Sequence, residues 1–188
     1  MYLKSLFSIV TAGLLFTSAA SYAQSKYFDK NSDVSFYSHT PIEDIDAKNS
    51  SAVSVLDVQS GAIEFSVLIK AFAFDKALMQ EHFNENYMES EKYPKATFKG
   101  QVKNISSVNL KADGTYTADV SGTLTMHGVS KEISTTATFI VKGGSLDAST
   151  AFAVNPEDYN ISIPGVVKEK IAKQIEVKVS SNFQTYVN

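Results

Sequence analysis

The chain has 188 residues, 44% of them hydrophobic and 20% charged, with no cysteine and a formal charge of −3 at pH 7. That mild acidity argues against nucleic acid, because counterion-releasing binding needs clustered Lys and Arg. Without cysteine there is no disulfide framework, so stability has to come from a packed core or a hydrogen-bonded sheet.

Residues 1–23 read as an export signal. Lys4 supplies the positive n-region, Leu6–Phe16 an apolar run too short for a comfortable membrane span, and Ser21-Tyr22-Ala23 a cleavage site ahead of Gln24. Lys4 is the only charge in this segment, so its removal takes the formal charge from −3 to −4. The remainder, 24–188, has the length of one domain of roughly 100–200 residues and contains no Pro/Gly/Ser-rich linker. The expected location is periplasmic or secreted.

From there the chain alternates apolar and polar residues with a period of two, the pattern of strands with one dry face. Val34 and Phe36 begin it, and Ser51–Asp57 is a weaker candidate. Ile63, Phe65, Val67 and Ile69 form the next dry row, with Leu68 as an apolar exception on the wet side. Residues 74–88 break the period: Phe74, Leu78, Phe83, Tyr87 and Met88 recur at three to four residues, which predicts an amphipathic helix with Asp75 as its N-cap. Ala96, Phe98, Gly100 and Val102 resume the alternation. Residues 115–127 carry it furthest: Thr115, Thr117, Asp119, Ser121, Thr123, Thr125 and His127 alternate with Tyr116, Ala118, Val120, Gly122, Leu124 and Met126. Further dry rows are Ile133 to Val141, Leu146 to Val154, and Ile175, Val177, Val179 and Phe183. Asp113-Gly114, His127-Gly128 and Gly143-Gly144 supply tight-turn chemistry between runs. A short helical turn is expected over Val166–Lys173, after Pro164-Gly165.

About eight sequential strands with one dry face predict an all-β fold, an antiparallel barrel with a helical insert, since closure removes the sheet edges. Alternation alone does not say which face points inward. The many Ala, Gly and Thr on the apolar rows and the long insert disfavour an outer-membrane barrel, whose lipid-facing band is richer in large apolar residues. With the dry face inside, two interiors fit: a core filled by alternating small and large residues, or an elongated apolar tunnel. A filled barrel would act through its surface, as an envelope or stress protein binding a partner.

Little in the sequence suggests catalysis. His39, His82 and His127 lie on separate elements, and no zinc motif, nucleophile elbow, catalytic Cys or phosphate-binding loop is present, so neither metal nor cofactor is expected. Tyr116, Thr135, Thr150 and Ser181 are the dry-row hydroxyls, and no base accompanies them. Asn49, Asn104 and Asn160 match the glycosylation pattern, a frequent chance occurrence.

Three segments, in order, resemble the YceI-like family. They are His82-Phe83…Tyr87-Met88…Glu91-Lys92-Tyr93-Pro94-Lys95-Ala96-Thr97-Phe98-Lys99-Gly100, then Gly122-Thr123-Leu124-Thr125-Met126-His127-Gly128-Val129-Ser130-Lys131, then Phe152…Asn155…Asp158-Tyr159-Asn160-Ile161. The resemblance implies a secreted or periplasmic, lipocalin-like barrel with a helical insert, binding a polyisoprenoid or related long-chain lipid without catalysis. Under that reading Phe65, Val67, Phe98, Val120, Leu124, Phe139, Phe152 and Phe183 contact the chain of the lipid, while Ala118, Gly122, Ala137 and Ala148 leave it room. The Tyr116 hydroxyl meets either a head group or another strand. His127 is expected to cap a hairpin, with ligand contact as its other role. Lipid identity and oligomeric state, a dimer included, stay open.

Overall fold

The computed structural model describes residues 26–185; the expected export segment 1–23 and the last three residues lie outside them. Among the described residues there are nine strands: β1 (Lys26–His39), β2 (Asp44–Asp57), β3 (Ala62–Leu68), β4 (Ala73–Phe74), β5 (Lys95–Val102), β6 (Gly114–Met126), β7 (Val129–Lys142), β8 (Ser145–Val154) and β9 (Ile175–Thr185). Every pairing is antiparallel. β1 pairs with both β2 and β9, which closes a barrel of eight strands, while the two-residue β4 pairs only with β2. The apolar rows point inward and the polar rows outward. Leu68, the exception in the pattern, is 46% exposed.

Two of the expected turns are tight hairpins because their residues reach positive φ. His127 and Gly128 (φ 50° and 75°) join β6 to β7, and Gly143 and Gly144 (φ 56° and 85°) join β7 to β8. Asp113-Gly114 is not such a hairpin. Gly114 opens β6, and residues 103–113 form a longer connection containing the 3₁₀ turn Ile105–Ser107. Its apolar side chains explain the difference: Val108 is buried, and Ile105 and Leu110 pack on the core, so the connection caps one end of the barrel. Asp113 instead accepts a hydrogen bond from the Gly143 N–H at 2.9 Å, clamping two loops at that end.

β2 runs well beyond the expected Ser51–Asp57, and a phase change explains why. Its inward residues are Ala47 and Asn49 before the bulge and Ala52, Ser54 and Leu56 after it. β1 is also irregular, between Asp29 and Ser32. A bulge adds a residue and bends the strand, so a single period of two cannot describe either strand.

The helical insert runs over 77–87, inside the expected 74–88. Phe74 belongs to β4, paired with Ala47, so its backbone cannot join a helix and Asp75 cannot cap one. The helix α1 is Ala77–His82, with Lys76 in the capping position and no side-chain cap bond. It continues as a π turn, Phe83–Tyr87, closed by Met88 N–H to the Phe83 carbonyl at 2.9 Å. Phe74 matched the helical spacing for another reason: it and Phe83 pack with Phe36 and Phe72 in one ring cluster, at centroid distances of 5.1 to 5.8 Å. The expected turn at Val166–Lys173 is a 3₁₀ turn, Gly165–Lys170.

The interior divides into two halves. At the end capped by residues 103–113, Leu56, Val102, Phe139, Val141, Leu146 and Phe183 meet across the barrel and fill it. Toward the insert, Val34, Ala47, Ala52, Val67 and Ala96 line the walls, with Phe36, Leu124, Val177 and Val179 packed against them. Where β5 and β6 run closest, Gly100 faces Gly122. A Cβ on Gly122 would lie 2.3 Å from the Lys99 carbonyl oxygen and 2.4 Å from the Gly100 Cα. Gly122→Leu is expected to push the strands apart at a cost of about 1–3 kcal/mol, lowering Tm by roughly 3–10 °C, which thermal unfolding followed by circular dichroism would detect.

Candidate functional site

The half of the barrel facing the insert encloses a cavity of about 560 Å³, within the range typical of small-molecule sites. Phe139, Val120 and Ile63 form its floor, above the filled end; Phe139 itself is fully buried. The walls come from alternate residues of the strands, among them Phe65, Val67, Phe98, Leu124, Ala137, Ala148, Phe152 and Val177. The roof is built by the insert and the segment after β8: Phe83, Tyr87, Ile163, Val167 and Ile171. Burial pushes the Tyr87 phenol above its ordinary pKa. The cavity is therefore blind, closed at one end by side chains and bounded at the other by the roof segments.

Of the thirteen residues expected to form the ligand site, Phe65, Val67, Phe98, Val120, Leu124, Ala137, Phe139, Ala148 and Phe152 line the cavity. Tyr116, Ala118 and Phe183 do not; they sit in or against the filled end, where Phe183 is 1% exposed. The Tyr116 hydroxyl donates to the Ala112 carbonyl at 3.2 Å, so its partner is the chain itself. Gly122 lies beside the cavity floor, where the close approach of β5 explains the absence of a side chain. The roof residues escaped the strand pattern because they come from non-repeating segments. The aromatic spacing in 74–88 marked Phe83 and Tyr87 as apolar without saying that they face the cavity.

The dry-row hydroxyls are also engaged by the protein. Thr135 donates to the Ala151 carbonyl at 3.0 Å and Thr150 to the Thr136 carbonyl at 2.9 Å. These bonds fall where the β7–β8 ladder ends, since its register runs only from Ala137–Thr150 to Lys142–Ser145. The side chains thus continue the wall one rung beyond the backbone pairing. Ser181 bonds to Ser32 and Ser54 at 2.9 and 3.2 Å, a buried knot joined to Asp29 through Ser32 at 3.0 Å.

Beyond that last rung, the 3₁₀ turn Pro156–Tyr159 lies against β7, and His127 fastens it. The period of two placed His127 outward, but its turn folds it under the neighbouring segments and it is 9% exposed. Its Nδ1 is 3.0 Å from the Tyr159 carbonyl and its Nε2 2.9 Å from the Glu89 carboxylate, while the Tyr93 ring packs edge-on at 4.5 Å. One side chain therefore joins the segment after the insert to the segment after β8, the two pieces that carry the roof. His127→Ala is expected to cost about 1–3 kcal/mol, because it leaves the buried Tyr159 carbonyl unpaired. Limited proteolysis should then cut within 156–163 faster than in the wild type.

A closed up-and-down barrel, filled at one end and hollow at the other, defines a lipocalin-like barrel protein. The model of the YceI-like domain matches residues 27–183, and the chain belongs to that family. It is 33% identical over 101 residues to UPF0312 proteins of Pseudomonas putida, a match covering 50% of this chain and 48% of the relative. The chain thus spans about half the length of the curated relatives it matches. Among solved structures, a polyisoprenoid-binding domain from Saccharophagus degradans superposes with a TM-score of 0.76 at 15% identity, over 87% of this chain and 99% of the other. Burkholderia cenocepacia BcnA gives 0.66 at 15% identity, over 82% and 96%. The Campylobacter jejuni YCEI protein gives 0.56 at 18% identity, over 73% and 81%. At these identities the likeness establishes the lipocalin-like barrel.

Proposed function

We propose that this protein binds a long-chain apolar lipid of polyisoprenoid type in its barrel cavity, without catalysis, and carries or sequesters it outside the cytoplasm. The observation that carries this reading is the blind cavity of about 560 Å³, walled by apolar side chains from all nine strands and two roof segments. Transfer of apolar surface out of water drives such binding at roughly 25 cal/mol per Å², less the cost of ordering the chain. The ligand class is supported by the structural neighbour described as a polyisoprenoid-binding domain. Location outside the cytoplasm rests on the signal-like residues 1–23.

Absence of catalysis is supported by the hydroxyls at Thr135 and Thr150, which face the cavity but are committed to the backbone. The filled-barrel reading applies to one end only, where the core is packed; the cavity favours the binding reading for the other.

Mass spectrometry of an organic extract from the protein purified out of its native envelope, against a mock purification, tests the reading. A stoichiometric long-chain prenyl species is the expected result, and an empty extract from folded protein overturns it. Ala137→Leu and Ala148→Leu, which add side-chain volume into the cavity, are expected to lower the co-purifying lipid by about tenfold with the circular dichroism spectrum unchanged.

A further inference from the structure

Among the described residues the three most exposed large apolar side chains are Ile42 (58%), Leu78 (59%) and Val166 (92%). They lie on the turn between β1 and β2, on α1, and on the 3₁₀ turn Gly165–Lys170. The remaining exposed ones, such as Ile140, lie on strands. Ion pairs bring the three segments together at the cavity mouth. Lys76 Nζ lies 3.2 Å from Glu43 Oε1, and Lys170 Nζ lies 3.9 Å from Oε2. Leu78 itself lines the cavity, as do Glu43 and Val167, the immediate neighbours of Ile42 and Val166. The apolar interior therefore continues into an apolar rim.

A single exposed apolar side chain on a soluble protein means little, but a cluster marks an interaction surface. Neither α1 nor the turn Gly165–Lys170 has a buried residue, so both leave their apolar tips in water. The charges around the tips have one prevailing sign. Residues 164–173 carry Lys168, Lys170 and Lys173, all exposed, against the single acid Glu169, in a chain whose formal charge is −3. The Glu43 side chain is only 24% exposed, between Lys76 and Lys170. Glu81 and Glu85 lie further along the insert and are not among the lining residues.

We propose that this rim is a membrane-docking surface. Ile42, Leu78 and Val166 enter the boundary between head groups and acyl chains of an anionic bilayer, and Lys168 and Lys173 lie against its phosphates. This rests on the reading of the cavity as a lipid site. Docked in this way, the mouth faces hydrocarbon, and a long-chain lipid passes between bilayer and barrel without exposing its chain to water. Barrel closure leaves no free barrel edge for a partner strand. Three tips on separate turns suit a fluid surface, which needs no matching shape.

The chain contains no tryptophan, so an introduced one reports its own surroundings. Val166→Trp and, on the outer wall of β7, Ile140→Trp are made in the protein purified out of its native envelope. Each is mixed with vesicles of phosphatidylcholine containing about one-third phosphatidylglycerol, with brominated acyl chains as quencher. Fluorescence of Val166→Trp is expected to shift to the blue and be quenched, and that of Ile140→Trp to stay unchanged. Ile42→Ser/Leu78→Ser/Val166→Ser should lower vesicle co-sedimentation by at least about tenfold. Lys168→Gln/Lys173→Gln should lower it by about tenfold, as added salt does. Both leave the circular dichroism spectrum unchanged, since the replaced side chains are exposed. Ala137→Leu/Ala148→Leu, which alters the cavity and not the rim, should dock as the wild type does. Equal quenching at the two positions, or co-sedimentation that survives the triple variant, overturns the docking surface. So does a wild type that leaves the vesicles untouched, while the cavity reading stands on the lipid extract. Vesicle binding lost in Ala137→Leu/Ala148→Leu would identify capture of lipid by the cavity alone and overturn docking by the rim.

Discussion

Closure of the sheet is the constraint on which the rest of this molecule depends. Because β1 hydrogen-bonds to both β2 and β9, the eight strands enclose a space of fixed width and leave no unpaired barrel edge. An eight-stranded barrel is only wide enough to be filled by side chains or to hold one small ligand. Which of these happens is decided level by level, by the size of the inward residues. Where Phe139, Phe183, Leu146 and Leu56 point at one another they meet and exclude water. Where the inward positions are Val34, Val67, Ala96 and Ala137 they do not reach across, and space remains.

The boundary between the halves has its own chemistry. The bulges of β1 and β2 lie near the knot of Ser32, Ser54 and Ser181, whose hydroxyls satisfy one another inside the barrel. Buried hydroxyls without partners are costly, so such a group is stable only when it closes on itself or on the backbone. Asn49, at the β2 bulge, does the same for the chain: its amide donates to the Leu68 carbonyl at 2.9 Å and its oxygen accepts the Ser51 N–H at 2.8 Å. Asn49 is thereby fully buried and committed to the chain.

The roof depends on a second set of interactions. The rings of Phe36, Phe72, Phe74 and Phe83 hold the insert against β1, supplying the packing that a six-residue helix with no buried residue lacks. On the other side His127 ties the segment after the insert to the segment after β8. The lysines at the mouth belong to the same two roof pieces. The elements that cover the cavity are thus also the ones that place charged side chains along its lining.

The period of two was enough to establish an antiparallel barrel and to name most of the wall, from Phe65 and Phe98 to Phe139 and Phe152, because side chains on a strand must alternate. The same rule could not separate Phe183 and Ala118 from the cavity wall, since a row that alternates correctly runs through both the filled and the hollow half. It misplaced His127 and truncated β2 because turns and bulges shift the phase. It extended the helix to Phe74 because a ring cluster mimics helical spacing. The sequence alone therefore determined the sheet, its dry face and its family likeness, all of which follow from local alternation and short motifs. The depth of the cavity, its roof and the meeting of Lys76, Glu43 and Lys170 were decided only by tertiary structure, because each depends on segments far apart in the chain brought together when the barrel closes.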